Sequence, residues 1–346
     1  MLAGSAVAQI SLTPPGVQTP PADSKPAKPK PKKIEPKNTE PKKPAVAKKP
    51  AAPAPAEPAP AASAPADSNV DLVYGAYQRG MYKTAFELAT KRVQEKNDPK
   101  AMTMLGELYA NAMGVKRDYA KAADWYKRAA EAGDREGMFA LAMLRLSGRG
   151  GGSANREEGA RWLASAAKLG SPKAAYNLAL LYLDGQTFPQ DIKRAAELLR
   201  VAADAGNPEA QYALATFYKE GTGVEKSIDK AVRLLQAAAV ADNVDAEVEY
   251  AIAMFNGTGT PKNEAAAIAL LRKAAKQNSP IAQNRLARVL VTGVGAPMDK
   301  VEGLKWHIVA KTAGKGDLML DEALARASPE DRAKAEAAAR KWLGSK

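Results

Sequence analysis

The chain has 346 residues and carries 51 basic against 38 acidic side chains, a net charge of +13, with no cysteine at all. Lack of cysteine excludes disulfides, thiol catalysis, cysteine metal sites and lipoprotein acylation, and no apolar run approaches the ~18 residues of a membrane helix. A basic balance can signal nucleic acid, but mixed-charge helices spread such residues over solvated faces, and no nucleic-acid partner is expected.

Residues 1–9 read MLAGSAVAQ, with Ala6-Val7-Ala8 before Gln9 in the A-x-A pattern of a signal cleavage site. The basic start and most of the apolar core of such a signal are absent. The expectation is a signal remnant whose frame begins upstream, and a periplasmic or exported protein; the alternative is a meaningless small-residue start and a cytoplasmic one. Residues 10–68 form a Pro/Lys/Ala-rich leader. Sixteen of the 24 prolines lie in residues 1–68, with ten lysines and five acids. Such a segment buries too little apolar surface to offset ordering entropy, so it is predicted to be disordered. In extended polyproline geometry, at ~3.1 Å per residue, it would reach about 180 Å. The run Lys28-Pro29-Lys30-Pro31-Lys32-Lys33 resembles, in composition, the periplasm-spanning segment of TonB-type proteins. That implies a spacer able to touch an anionic envelope polymer, set against a passive solvated tail.

Residues 69–97 predict a short capping hairpin, with a tight loop at Arg79-Gly80. From there a unit recurs six times over residues 98–314. Leu105 returns as Leu141, Leu178, Leu214, Tyr250 and Leu286, at intervals of 36, 37, 36, 36 and 36. A fixed period of this size marks a stacked array. Each unit predicts two helices. The first places Ala101, Leu105, Leu108 and Tyr109 on one face, then stops at a glycine loop. The second starts at a capping residue: Asp118, Asn155, Asp191, Ser227, Asn263 and Asp299. Inside it recur a large apolar position (Trp125, Trp162, Leu198, Leu234, Leu270, Trp306) and an alanine pair such as Ala202–Ala203. Gly133, Gly170, Gly206, Asp242, Asn278 and Gly314 then turn the chain. New caps follow at Asp134, Ser171, Asn207, Asn243 and Ser279, as at Asp98 before the first copy. Residues 315–346 predict C-terminal capping helices, the second opened by Ser328-Pro329.

The pattern A-x-x-x-L-G-x-L-Y, a G-V loop and D-Y-x-K-A-x-x-W-Y-x-x-A-A-x-x-G-D, all within Ala101–Asp134, resembles the Sel-one-like repeat of the tetratricopeptide superfamily. The resemblance implies an all-α, right-handed α-solenoid whose first helices line a concave face, and a role as an adaptor for other proteins. Several exported bacterial members regulate envelope sensor kinases. The cysteine-rich members linked to β-lactams differ from this chain, which has no cysteine.

No catalytic, metal or cofactor site is expected. The single histidine, His307, lacks a histidine or cysteine partner in the sequence. Gly221-Thr222-Gly223 and Gly257-Thr258-Gly259 lack the G-K-[ST] of a phosphate loop. A partner-binding groove is expected instead, on two first-helix registers. One holds Met104, Ala140, Asn177, Ala213, Glu249 and Arg285; the other Glu107, Met143, Leu180, Thr216, Ile252 and Arg288. They predict an apolar middle and an arginine pair near the C-terminal end, matching a peptide or partner helix that is acidic at one end. The expected function is a non-catalytic envelope scaffold that regulates signalling. The alternative is a peptidoglycan or anionic-glycan binder, suggested by the leader and by Tyr182 and Tyr218.

Overall fold

Short polar residues start almost every helix of this chain, and residues able to take left-handed backbone end them. In the computed structural model, which describes residues 71–150 and 154–344, sixteen helices follow one another and no strand occurs among the described residues. The signal remnant 1–9, the leader 10–68 and residues 151–153 of the loop after Gly148 lie outside the described residues. Helices α1 (Leu72–Gln78) and α2 (Tyr82–Lys96) make the opening hairpin. Six pairs follow: α3 (Pro99–Asn111) with α4 (Tyr119–Glu131), α5 (Arg135–Ser147) with α6 (Arg156–Lys168), and α7 (Pro172–Asp184) with α8 (Ile192–Asp204). The other three are α9 (Pro208–Glu220) with α10 (Ile228–Val240), α11 (Val244–Asn256) with α12 (Glu264–Lys276), and α13 (Pro280–Thr292) with α14 (Lys300–Thr312). Helices α15 (Leu318–Ala325) and α16 (Pro329–Gly344) close the chain. From α1 to α15 each helix packs on its sequence neighbours, and α16 packs back on α14, giving an all-α solenoid as the period predicts.

All twelve capping residues of the repeats accept a backbone N–H. Those before first helices do so at 2.7–3.4 Å, and those before second helices at 2.9–3.4 Å. Each such cap contributes about 1 kcal/mol. The second-helix cap also ties down its loop. The N–H groups of Asp118, Asn155, Asp191, Ser227, Asn263 and Asp299 donate to the carbonyls of Tyr109, Arg145, Tyr182, Tyr218, Met254 and Leu290, the same bond six times over. The first-helix exit takes positive φ at Gly148, Gly185, Gly221, Gly257 and Gly293; in the first repeat Ala112 is forced there, with φ 59°.

Between helices the core is built from the leucine register. Leu105, Leu141, Leu178, Leu214 and Leu286 are buried, and each contributes ~1.5–3 kcal/mol. In the second helices the expected register is buried at Leu198 and Trp306, but in the other four repeats the structure shifts the weight by one residue. Trp125, Trp162, Leu234 and Leu270 are half-buried, whereas the residue after each, with Leu199 and His307 at the same register, is buried. The bulkiest occupant of that register, Tyr126, has its own accommodation: a Cβ at Gly106 would lie 2.6 Å from its ring, and the other repeats, with smaller partners, carry alanine there.

Ion pairs hold the ends. Arg92 bridges Asp71, the cap of α1, at 2.6 Å and Asp98, the cap of α3, at 2.8 Å. At the other end the Lys305 ammonium lies 4.1 Å from the Trp306 ring centre and 5.1 Å from that of Trp342.

Candidate functional site

The two groove registers lie three residues apart on each first helix and so share a face. Met143 and Leu180 are exposed on it, and Glu107, Asn177, Thr216, Glu249, Arg285 and Arg288 are half-buried. Ile252 departs from the expectation. It is buried with Val248, Phe255 and Ile268 in the core of the C-terminal repeats and offers nothing to a partner.

The expected arginine pair is also divided. Arg288 Nε donates to Asp317 Oδ2 at 2.5 Å, so the cap of α15 already neutralises it. Burial raises the Asp317 pKa, but the hydrogen bond and charge of Arg288 outweigh it and hold the carboxyl below its usual range. Arg285 remains open, its Nε buried without a hydrogen-bond partner. Burial, then repulsion by Arg288, makes it less basic than an ordinary guanidinium. Several other members are engaged within the protein: Tyr77 donates to Glu107 at 2.8 Å, Lys219 to Glu249 at 3.0 Å, and the Asn177 amide to the Lys173 carbonyl at 2.8 Å.

Two clefts open on this face, in equivalent places. One, about 340 Å³, lies where α1 and α2 meet α3 and α5, and includes Arg92, Lys100, Thr103, Glu107 and Glu136. The other, about 440 Å³, lies between α7, α9 and α11, and includes Tyr176, Glu209, Tyr212, Thr216 and Asp245. Lys100, Thr103, Glu107 and Glu136 of the first correspond by register to Glu209, Tyr212, Thr216 and Asp245 of the second. In the N-terminal cleft several polar groups are engaged, with Thr103 donating to Asp134 at 2.7 Å beside the Arg92 and Glu107 contacts. In the central cleft the Glu209 and Asp245 side chains have neither ion pair nor hydrogen bond among the described residues. Burial, then the Glu209 charge, raises the Tyr176 pKa; burial, then Glu249 and Asp245, raises that of Tyr212. Both phenols therefore stay neutral at ordinary pH, beside the exposed carboxylates of Glu209 and Asp245.

Sequence reading passed over Tyr176 and Tyr212, although a signal existed. The position before the first groove register reads Phe139, Tyr176, Tyr212 in three successive copies. The tyrosines singled out instead are spent internally: Tyr182 stacks on Phe188 at 5.1 Å, and Lys230 sits 5.3 Å from the Tyr218 ring. His307 is a core residue, with Nε2 lying 2.9 Å from Asp321 Oδ1. No helix among the described residues is long and apolar enough to cross a membrane.

The Sel1 repeat family model matches the chain six times, at residues 99–134, 135–171, 172–207, 208–243, 244–279 and 280–315. No curated protein gives a significant match. Among solved structures, a Sel1 repeat protein from Oxalobacter formigenes is 26% identical with a TM-score of 0.62, over 71% of this chain and all of that one. The protective antigen c5321 of uropathogenic Escherichia coli, which displays an SLR fold, is 24% identical with a TM-score of 0.54 over 76% of this chain. This chain spans 64% of that antigen's length.

Proposed function

This chain belongs to the Sel1 repeat family, and from that premise we propose that it is a non-catalytic adaptor holding an extended segment of a partner protein along the first-helix face. Proteins of this family are generally protein-interaction scaffolds. One observation carries the reading: Met143 and Leu180 stand exposed at one register of neighbouring first helices, leading into the open central cleft. Large apolar side chains grouped on one face mark interaction surfaces. Arg285, open at the far end, suits an acidic group of the same segment. The Ala6-Val7-Ala8 pattern and the lysine–proline leader support work in the bacterial envelope, where such an adaptor would regulate signalling.

The test is crosslinked capture from envelope extract with the full chain. Leu180→Asp is expected to abolish capture of the dominant partner with the helical signal intact, while Arg200→Glu, exposed on a second helix, leaves it unchanged. Equal capture by both variants would move the site off this face.

A further inference from the structure

We propose that the central cleft is the anchor site for one basic side chain, lysine or arginine, of the bound segment, received between Tyr176 and Tyr212 and neutralised by Glu209 and Asp245. The inference rests on the first-helix-face reading above and names the chemistry that face selects.

The repeat supplies its own control. Along the register of Glu209 the chain reads Lys100, Glu136, Lys173, Glu209, Asp245 and Ile281, so acids stand in consecutive copies only at the central cleft. A first-turn acid is favoured by the helix dipole alone, and that accounts for Glu209 and Asp245 one at a time. It does not account for their facing a common space of about 440 Å³ walled by two tyrosines. Nor does the protein supply the missing cation. Lys173, at the same register on α7, is exposed and pairs with neither carboxylate. Lys219, at the end of α9, is taken by Glu249. At the equivalent N-terminal cleft the protein does provide a cation, Arg92, which meets Asp71 and Asp98. At the registers of Glu209 and Asp245 that cleft holds Lys100 and Glu136, of opposite charge, so of the two clefts only the central one carries acids at both.

The chemistry favours an organic cation on a flexible stem. Tyrosine faces attract ammonium and guanidinium groups, the stem lies along the rings, and the carboxylates accept charge-assisted hydrogen bonds. Among the described residues no group of three or more acidic or histidine side chains is arranged to hold a metal ion. An acidic segment would meet like charge from Glu209 and Asp245.

An unbiased library of phage-displayed peptides, selected on the full chain, tests this. The enriched sequences are expected to share a lysine or arginine at one fixed position. A synthetic peptide of that consensus should bind the double variant Glu209→Gln/Asp245→Asn at least about tenfold more weakly, and bind the parent more weakly as salt rises. Both substitutions preserve shape, so the melting temperature should fall only slightly, through loss of the two first-turn acids. A neutral or acidic consensus whose binding is lost with Leu180→Asp would overturn the basic anchor and leave the face reading standing. A basic consensus indifferent to the double variant would also overturn it. No enrichment, or peptides indifferent to Leu180→Asp, would overturn both.

Discussion

The N-terminal and central clefts are built from the same registers of the same repeat, yet one is closed on itself and the other open. Beneath both lies a first helix with a buried leucine, Leu105 in α3 and Leu214 in α9. Above them the side chains diverge. Around the N-terminal cleft, Arg92 of α2 pairs with Asp71 and Asp98, and Tyr77 of α1 donates to Glu107. The central cleft has another repeat on either side and no hairpin to supply such partners. A repeat fixes where backbone and core go, while the few positions outside its consensus decide whether a surface is finished or left for something else.

The sharpest way to break this comparison is to attack the shared core. Leu105→Ala and Leu214→Ala should each cost about 2–5 kcal/mol, through lost burial and the cavity left behind, measured by denaturant unfolding. Similar losses mean one scaffold under both clefts. A loss near zero at either position would show that the two are not equivalent.

Acid should separate the ends from the middle. At Asp71 burial raises the pKa, but the Tyr74 amide and Arg92 outweigh it and the net shift is downward. Asp321 is lowered by hydrogen bonds from Lys311 and then His307, and Asp317 is lowered by Arg288 against its burial. A carboxyl lowered in the folded state stabilises above its unfolded pKa, near 4, and that stability is lost as pH falls through the folded value. Hydrogen exchange at pH 6 and pH 3 should therefore show α1, α2, α15 and α16 losing protection before α9 and α10. Uniform loss along the array would contradict the pairing assigned to the ends.

The smallest effect tests how finely the two clefts match. Helix α3 ends on Ala112 with φ 59°, whereas α9 ends on Gly221 with φ 83° at the same register. Ala112→Gly should stabilise the protein by about 1 kcal/mol, because glycine takes this backbone without the Cβ penalty. An unchanged or lower melting temperature would show that Ala112 earns its strain through contacts.

The sequence by itself determined the repeat, its two helices, every cap and the glycine turns. These rest on interactions between residues three to five apart, which leave a readable spacing. Even the one exception to the glycine register, Ala112, was visible in the sequence, though its strained backbone was not. Only the tertiary structure decided that Ile252 turns inward, that Arg288 is spent on Asp317, and that Tyr176, Tyr212, Glu209 and Asp245 share one space. The physical reason is separation along the chain. Arg288 and Asp317 are 29 residues apart, and Lys219 and Glu249 are 30. Such pairs form only when successive repeats are stacked, and the repeat's spacing does not encode which side chains then meet.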